Sequence, residues 1–141
     1  MRTSDEVRAA GLAYLKSKTV ITSLLSSSGD IKEAQWQGVD FVYPAIRLSL
    51  DFLPSINGCG PDKAEFTIET FSEEKSSLQA ETISAAMETL LHKHPFSVTI
   101  QLPNQSPKTI KFPIVVVTKV LKAERSIYGW RSQINLTTQV V

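Results

Sequence analysis

One cysteine, Cys59, stands in the whole chain. No disulfide can form within it, so nothing points to an oxidising compartment. One thiol and two histidines also leave few donors for a zinc site, which wants four ligands. Charge of one sign is lacking as well. Fifteen basic residues against fourteen acidic ones leave a net charge of +1. No long-range field would draw in DNA or an anionic membrane, and self-repulsion is weak enough for copies to pack side by side. Long hydrophobic runs are missing too. The apolar run Ile114-Val115-Val116-Val117 falls far short of the roughly 20 residues of a membrane span. The first ten residues lack the basic-then-apolar layout of a signal peptide, so the protein is expected in the cytoplasm when it is made.

What is present suits an ordinary globular core. A chain of 141 residues can bury roughly 70% of the surface its unfolded form exposes. Metal and disulfide are therefore not needed for it to fold. The first segment reads as a helix. Thr3 and Ser4 are cap candidates, and Asp5 and Glu6 suit the positive end of the helix dipole. Val7, Ala10, Gly11, Tyr14 and Leu15 form one stripe. Gly11 weakens that helix by about 1 kcal/mol relative to alanine, which fits a place where something packs closely. A short second helix around Val20, Ile21, Leu24 and Leu25 ends at the Ser/Gly stretch 26–30.

Strand signals follow. Residues 31–36 read as a short strand and 37–40 as a turn. In 41–52, Ile46, Leu48, Leu50 and Phe52 alternate with Arg47, Ser49 and Asp51, predicting one buried and one wet face. Two prolines and two glycines make 54–62 a loop. Ala64, Phe66, Ile68 and Thr70 alternate again in 63–71. Ser76 and Gln79 fit a capping box for the next helix. Its core stripe is Ile83, Ala86, Met87, Leu90 and Leu91, and Pro95 stops it. Residues 96–102 alternate, 103–107 turn, and 109–121 read as one strand apolar on both faces, hence central. Pro113 predicts a bulge or break near its start. Residues 127–141 form a long final strand. The order α-α-β-β-β-α-β-β-β, joined mainly by turns, predicts an α+β fold: a largely antiparallel mixed sheet with helices packed on one face.

The candidates for chemistry have plainer readings beside them. His92 and His94 are two apart, so on a helix they point about 200° from each other and cannot readily share a metal. As cations at a helix C-terminus, with Lys93, they fit the dipole. Cys59 sits between glycines in a loop, with no helix N-terminus to lower its pKa. Glu65 and Glu69 share a strand face, where solvated carboxylates are the ordinary case. The loop Asn57-Gly58-Cys59-Gly60-Pro61 lacks the Lys-Ser/Thr of a phosphate cradle. Trp36 and Trp130 suit core or interface better than base stacking. No catalytic residue, metal or cofactor is expected.

The order of elements and several local patterns resemble the tail terminator (tail completion) proteins of long-tailed bacteriophages. The likeness runs through Ile21-Thr22-Ser23-Leu24-Leu25, the Tyr-Pro-led strand Val42-Tyr43-Pro44-Ala45-Ile46-Arg47-Leu48, and Phe66-Thr67-Ile68-Glu69-Thr70-Phe71-Ser72. It continues through the helix with Ala80-Glu81-Thr82-Ile83 early and Leu90-Leu91 late, and the closing strand Gly129-Trp130-Arg131-Ser132-Gln133-Ile134-Asn135-Leu136. Residues 96–121 are longer and more apolar than that family leads one to expect. The resemblance implies one domain over 1–141 and a non-enzymatic virion protein forming a ring, six copies in the family. Such a ring would cap the tail tube, end its polymerisation and offer a surface to the head's neck. Its partners would be itself, the tail-tube protein and a neck protein, at the head-proximal end of the tail. DNA would pass through the lumen without specific binding, and no membrane is involved. A neighbouring head–tail connector and a small monomeric phage-encoded binding module remain alternatives. Candidate interface residues are Tyr43, Arg47, Asn57, Gly58, Cys59, Asn104, Gln105, Trp130, Arg131 and Gln133. Residues 41–52 and 127–141 are candidates for pairing across subunits.

Overall fold

The computed structural model describes residues 3–26, 30–34, 42–55, 60–126 and 129–141. Helix α1 (Ser4–Ser17) and the one-turn helix α2 (Thr19–Thr22) come first. Strands β1 (Ile31–Glu33), β2 (Ala45–Leu53) and β3 (Asp62–Ser72) follow, then helix α3 (Leu78–Leu91). Strands β4 (Phe96–Ile100), β5 (Lys108–Phe112), β6 (Val115–Ser126) and β7 (Gly129–Val140) complete the chain. The fold is α+β, as expected. The main sheet has the order β1-β2-β3-β7-β6, parallel between β1 and β2 and antiparallel elsewhere.

Register explains which face is buried. Leu48, Ile68, Ile134 and Val120 lie in one row across β2, β3, β7 and β6. Leu50, Phe66, Leu136 and Val117 form the next. Because side chains alternate along each strand, these rows all point to one side. Helices α1 and α3 pack on that side and close the core. Gly11 allows the fit: a Cβ there would lie 3.0 Å from the Phe66 ring and 3.2 Å from Leu48. The close packing inferred from that glycine is thus against the sheet.

Helix α1 starts on a capping box at Thr3, one of the two expected cap residues. The Thr3 hydroxyl accepts the Glu6 backbone N–H at 3.2 Å, and the Glu6 carboxylate accepts the Thr3 backbone N–H at 3.4 Å. Glu6 is buried, and Lys108 of β5 lies 3.4 Å from its carboxylate. Burial acts to raise the Glu6 pKa, but hydrogen bonds from Thr3 and the charge of Lys108 together outweigh it and hold the pKa below its ordinary value. A lowered carboxylate pKa contributes stability at neutral pH, and that contribution is lost as pH falls through the acid range. Lys108→Met is therefore expected to unfold at lower urea than the parent at pH 7, and the two midpoints should converge once pH has fallen below the ordinary carboxylate range. Thr3→Ala should cost about 1 kcal/mol at pH 7.

Three expectations are corrected. The box proposed for α3 does not form: Ser77 is the N-cap and its side chain makes no capping bond. Ser76 instead accepts the Leu78 N–H at 3.1 Å, and Gln79 accepts the Ser72 hydroxyl at 2.6 Å. The single strand 109–121 is two strands, parted at Pro113, where the ladder N–H is missing. Its first half, β5, leaves the main sheet and pairs with β4 in a separate two-stranded sheet. Its second half, β6, is an edge strand and not a central one. Its apolar residues reflect two neighbours: Val115 is buried, whereas Ile114 and Val116 are exposed.

The β4–β5 hairpin caps the core beside α1. Phe96 stacks on Tyr14 with ring centroids 3.8 Å apart, and Phe112 meets Phe96 at 4.6 Å and Phe66 at 6.1 Å. Paired hydrogen bonds between Lys111 and Val141 join this hairpin to the end of the main sheet.

Candidate assembly surface

The face of the main sheet turned away from the helices is polar. Alternation places Ser49 and Asp51 of β2, Glu65, Thr67 and Glu69 of β3, and Arg131, Gln133, Asn135 and Thr137 of β7 on it. A groove of about 280 Å³ crosses it, lined by Ser49, Asp51, Glu65, Thr67, Asn135 and Thr137 among others.

Arg131 and Gln133 belong to a network on this face. The Arg131 guanidinium donates to Glu69 at 2.7 Å, to Gln133 at 3.1 Å and to Glu124. Gln133 in turn donates to Asn135 at 2.7 Å. The hydrogen bonds that Arg131 donates to Glu69 and then to Glu124 raise its pKa above the ordinary value, against a smaller effect of burial. This network spans β3, β7 and β6, so it braces the sheet's own register. The pairing of Glu65 with Glu69 as a carboxylate site is not realised, because Glu69 is held by Arg131.

Arg47, expected on the wet face, is buried. Its guanidinium donates to the carbonyls of Asp30 and Ile46, each at 3.0 Å. The chain entering β1 passes within reach of it, which alternation along β2 alone could not show. Burial lowers its pKa, partly offset by Asp30 and Tyr43. Tyr43 is half-buried just before β2. Trp130 donates its indole N–H to the Lys75 carbonyl at 3.2 Å and carries Arg125 over its ring at 5.7 Å. Asn104, at φ 62, and Gln105 form the exposed tip of the β4–β5 hairpin. Trp36, Asn57, Gly58 and Cys59 lie outside the described residues. The seven described candidates are thus not gathered in one place.

Two sheet edges matter more than those residues. Strand β7 has neighbours along both sides, so it offers no edge for a second molecule. Strand β2 does in part: β1 covers only Ile46, Arg47 and Leu48. Among the described residues no strand pairs with the outer side of 49–53. At the opposite border, β6 is closed by its own chain at one end only. The His92 ring accepts the Val117 N–H at 3.1 Å through Nδ1, and the Lys93 N–H meets the Val115 carbonyl at 2.9 Å. Lys93 takes φ 60, a left-handed conformation that costs a non-glycine residue about 1 kcal/mol or more. Of the residues expected here as helix-end cations, His92 instead accepts a hydrogen bond and Lys93 turns the chain onto β6. Beyond it, among the described residues, no strand pairs with the outer side of β6 over 118–125, which carries bulges after Val117 and after Leu121. Sequence reasoning did not find this border, because it read 109–121 as central.

Among the described residues there is no group of three His, Cys, Asp or Glu placed to hold a metal ion, and no helix is long and apolar enough to cross a membrane. No family model matches the sequence. No curated protein matches it either. Among solved structures, the fold is similar to that of a chain in the virion of the native gene transfer agent (GTA) particle. The superposition covers 95% of this chain and 93% of that one, with a TM-score of 0.69 at 15% sequence identity. At that identity the likeness is one of fold.

Proposed function

We propose that this chain is a structural protein of a phage-like virion and acts as a tail terminator. Copies close into a ring, six in the family it resembles, on the last layer of tail-tube subunits. One side of the ring matches the tube and the other accepts no further tube layer, so growth stops and the neck gains a docking surface. The work is geometric and needs no catalytic group. The observation that supports this reading best is the end-to-end fold likeness to a virion chain, reached independently of the tail-terminator patterns in the sequence. The partly open borders of the sheet support it as well, since an uncovered edge calls for a covering partner.

The test is tube growth in the presence of the purified chain. Tail-tube protein from the same particle should give shorter tubes as the chain is added, each with extra density at one end in electron micrographs. Unchanged tube lengths and bare ends would refute the terminator role. Density at the portal side of the neck, away from the tube, would instead assign a connector.

A further inference from the structure

Among the described residues, the open edges of β6 and β2 are complementary in charge. On β6, Lys119 is exposed, shares the polar face with its partner Asn135 and makes no ion pair among the described residues. On β2 and β3, Asp51 and Glu65 face each other directly in register, both exposed and neither ion-paired among the described residues. Like charges directly opposite on a sheet are unfavourable. Lys63, two residues before Glu65 on the same face, is the nearest cation along β3. Lys119 pairs with Asn135, which pairs with Thr67, so β6 stands two strands from β3. At nearly 5 Å per strand, that separation is about 10 Å within one molecule.

We infer that the open edge of β6, 118–125, pairs with the open edge of β2, 49–53, of a second copy, setting Lys119 against that copy's Asp51 and Glu65. This deepens the ring reading and rests on it. Strand directions permit the junction. β2 and β7 run one way and β3 and β6 the other, so β6 meets the next β2 antiparallel and the sheet continues across the boundary. The bare polar faces stay on one side, which brings Lys119 and the carboxylates together.

The covered halves set the register. Val116 lies in the row of Thr137, Glu65 and Asp51, and Leu121 lies in the row of Gln133, Glu69 and Arg47. The closed half of β6 is therefore level with the open half of β2, and the open half of β6 is level with the half of β2 that β1 covers. Two copies can join only with an offset along the strands. The two edges are unlike, so the contact is heterologous, the type that closes into rings.

The experiment uses two charge-reversed chains, K119E and D51K/E65K, with circular dichroism to confirm that both fold. Light scattering should show the parent chain associating as its concentration rises. Each variant alone should associate about tenfold more weakly or worse, because like charges then meet across the junction. Mixing the two should restore association. Amide exchange in the parent should slow over 118–125 and 49–53 only at associating concentrations. Variants that associate like the parent, a mixture that stays monomeric, or a parent that is monomeric at every concentration would each overturn the inference. None of these would refute tube capping, which the growth assay reads separately; failed capping with restored association would leave this junction standing and sink the terminator role.

Discussion

Replacing Gly129 with alanine is expected to cost about 3 kcal/mol or more. Gly129 opens β7 at φ +155, a region that residues with side chains rarely enter. A Cβ there would lie 2.0 Å from the Ser72 carbonyl oxygen and 2.9 Å from the Glu73 Cα. Both are backbone atoms, so no flexible side chain can move aside. Ser72 is itself fixed, since its hydroxyl donates to Gln79 and accepts the Glu74 N–H. Relief would have to come from moving the turn between β3 and α3. For a chain of this size the loss corresponds to a fall in melting temperature of roughly 10 °C. Gly60 is the internal control. It also has a positive φ, +91, but a Cβ there meets nothing within 4 Å. Gly60→Ala should lose only the strain, about 1 kcal/mol. Equal melting temperatures for the two variants would mean that the close approach at Gly129 is wrong.

Phe112→Ala is expected to cost about 3–5 kcal/mol. Phe112 is fully buried and touches both Phe96 and Phe66, so its ring joins the β4–β5 hairpin to the main core. Truncation removes the ring's burial and leaves a cavity that the flanking aromatic rings can fill only in part. Stability of native domains is about 5–15 kcal/mol in total, so this change takes a large share. Phe96 is only half-buried, and Phe96→Ala should cost less. Urea unfolding of the two variants ranks them. A loss below about 1 kcal/mol for Phe112→Ala would mean that the hairpin does not seal the core.

Much of the fold was legible because period and burial agreed. The stripes of α1 and α3 follow from 3.6-residue spacing, and the inner faces of β2 and β3 from strict alternation. The break at Pro113 was anticipated, but its consequence was not. Alternation reports how many faces are covered, not which neighbour covers them. Ile110 and Phe112 are buried under a different layer from Val115. A continuous apolar pattern thus concealed a change of sheet. Arg47 was misplaced for a related reason: a long-range contact with Asp30 overrides the local period. The assembly surface was the least legible part. A strand edge consists of backbone groups, and those are the same for every sequence. Only strand order reveals which are left over, and strand order was not in the pattern. Of the ten candidate residues, Arg131 and Gln133 turned out to brace the sheet, and Trp130 to anchor the turn before α3.

The bare spot at Gly11 has a consequence for motion. The Phe66 ring is wedged between the helix backbone at Gly11 and the Phe112 ring. A close-packed interior leaves such a ring no room to rotate in place. Each half-turn of Phe66 then demands that the first helix lift away or that the aromatic lid shift. The ring thereby acts as a clock for how often the two layers breathe apart.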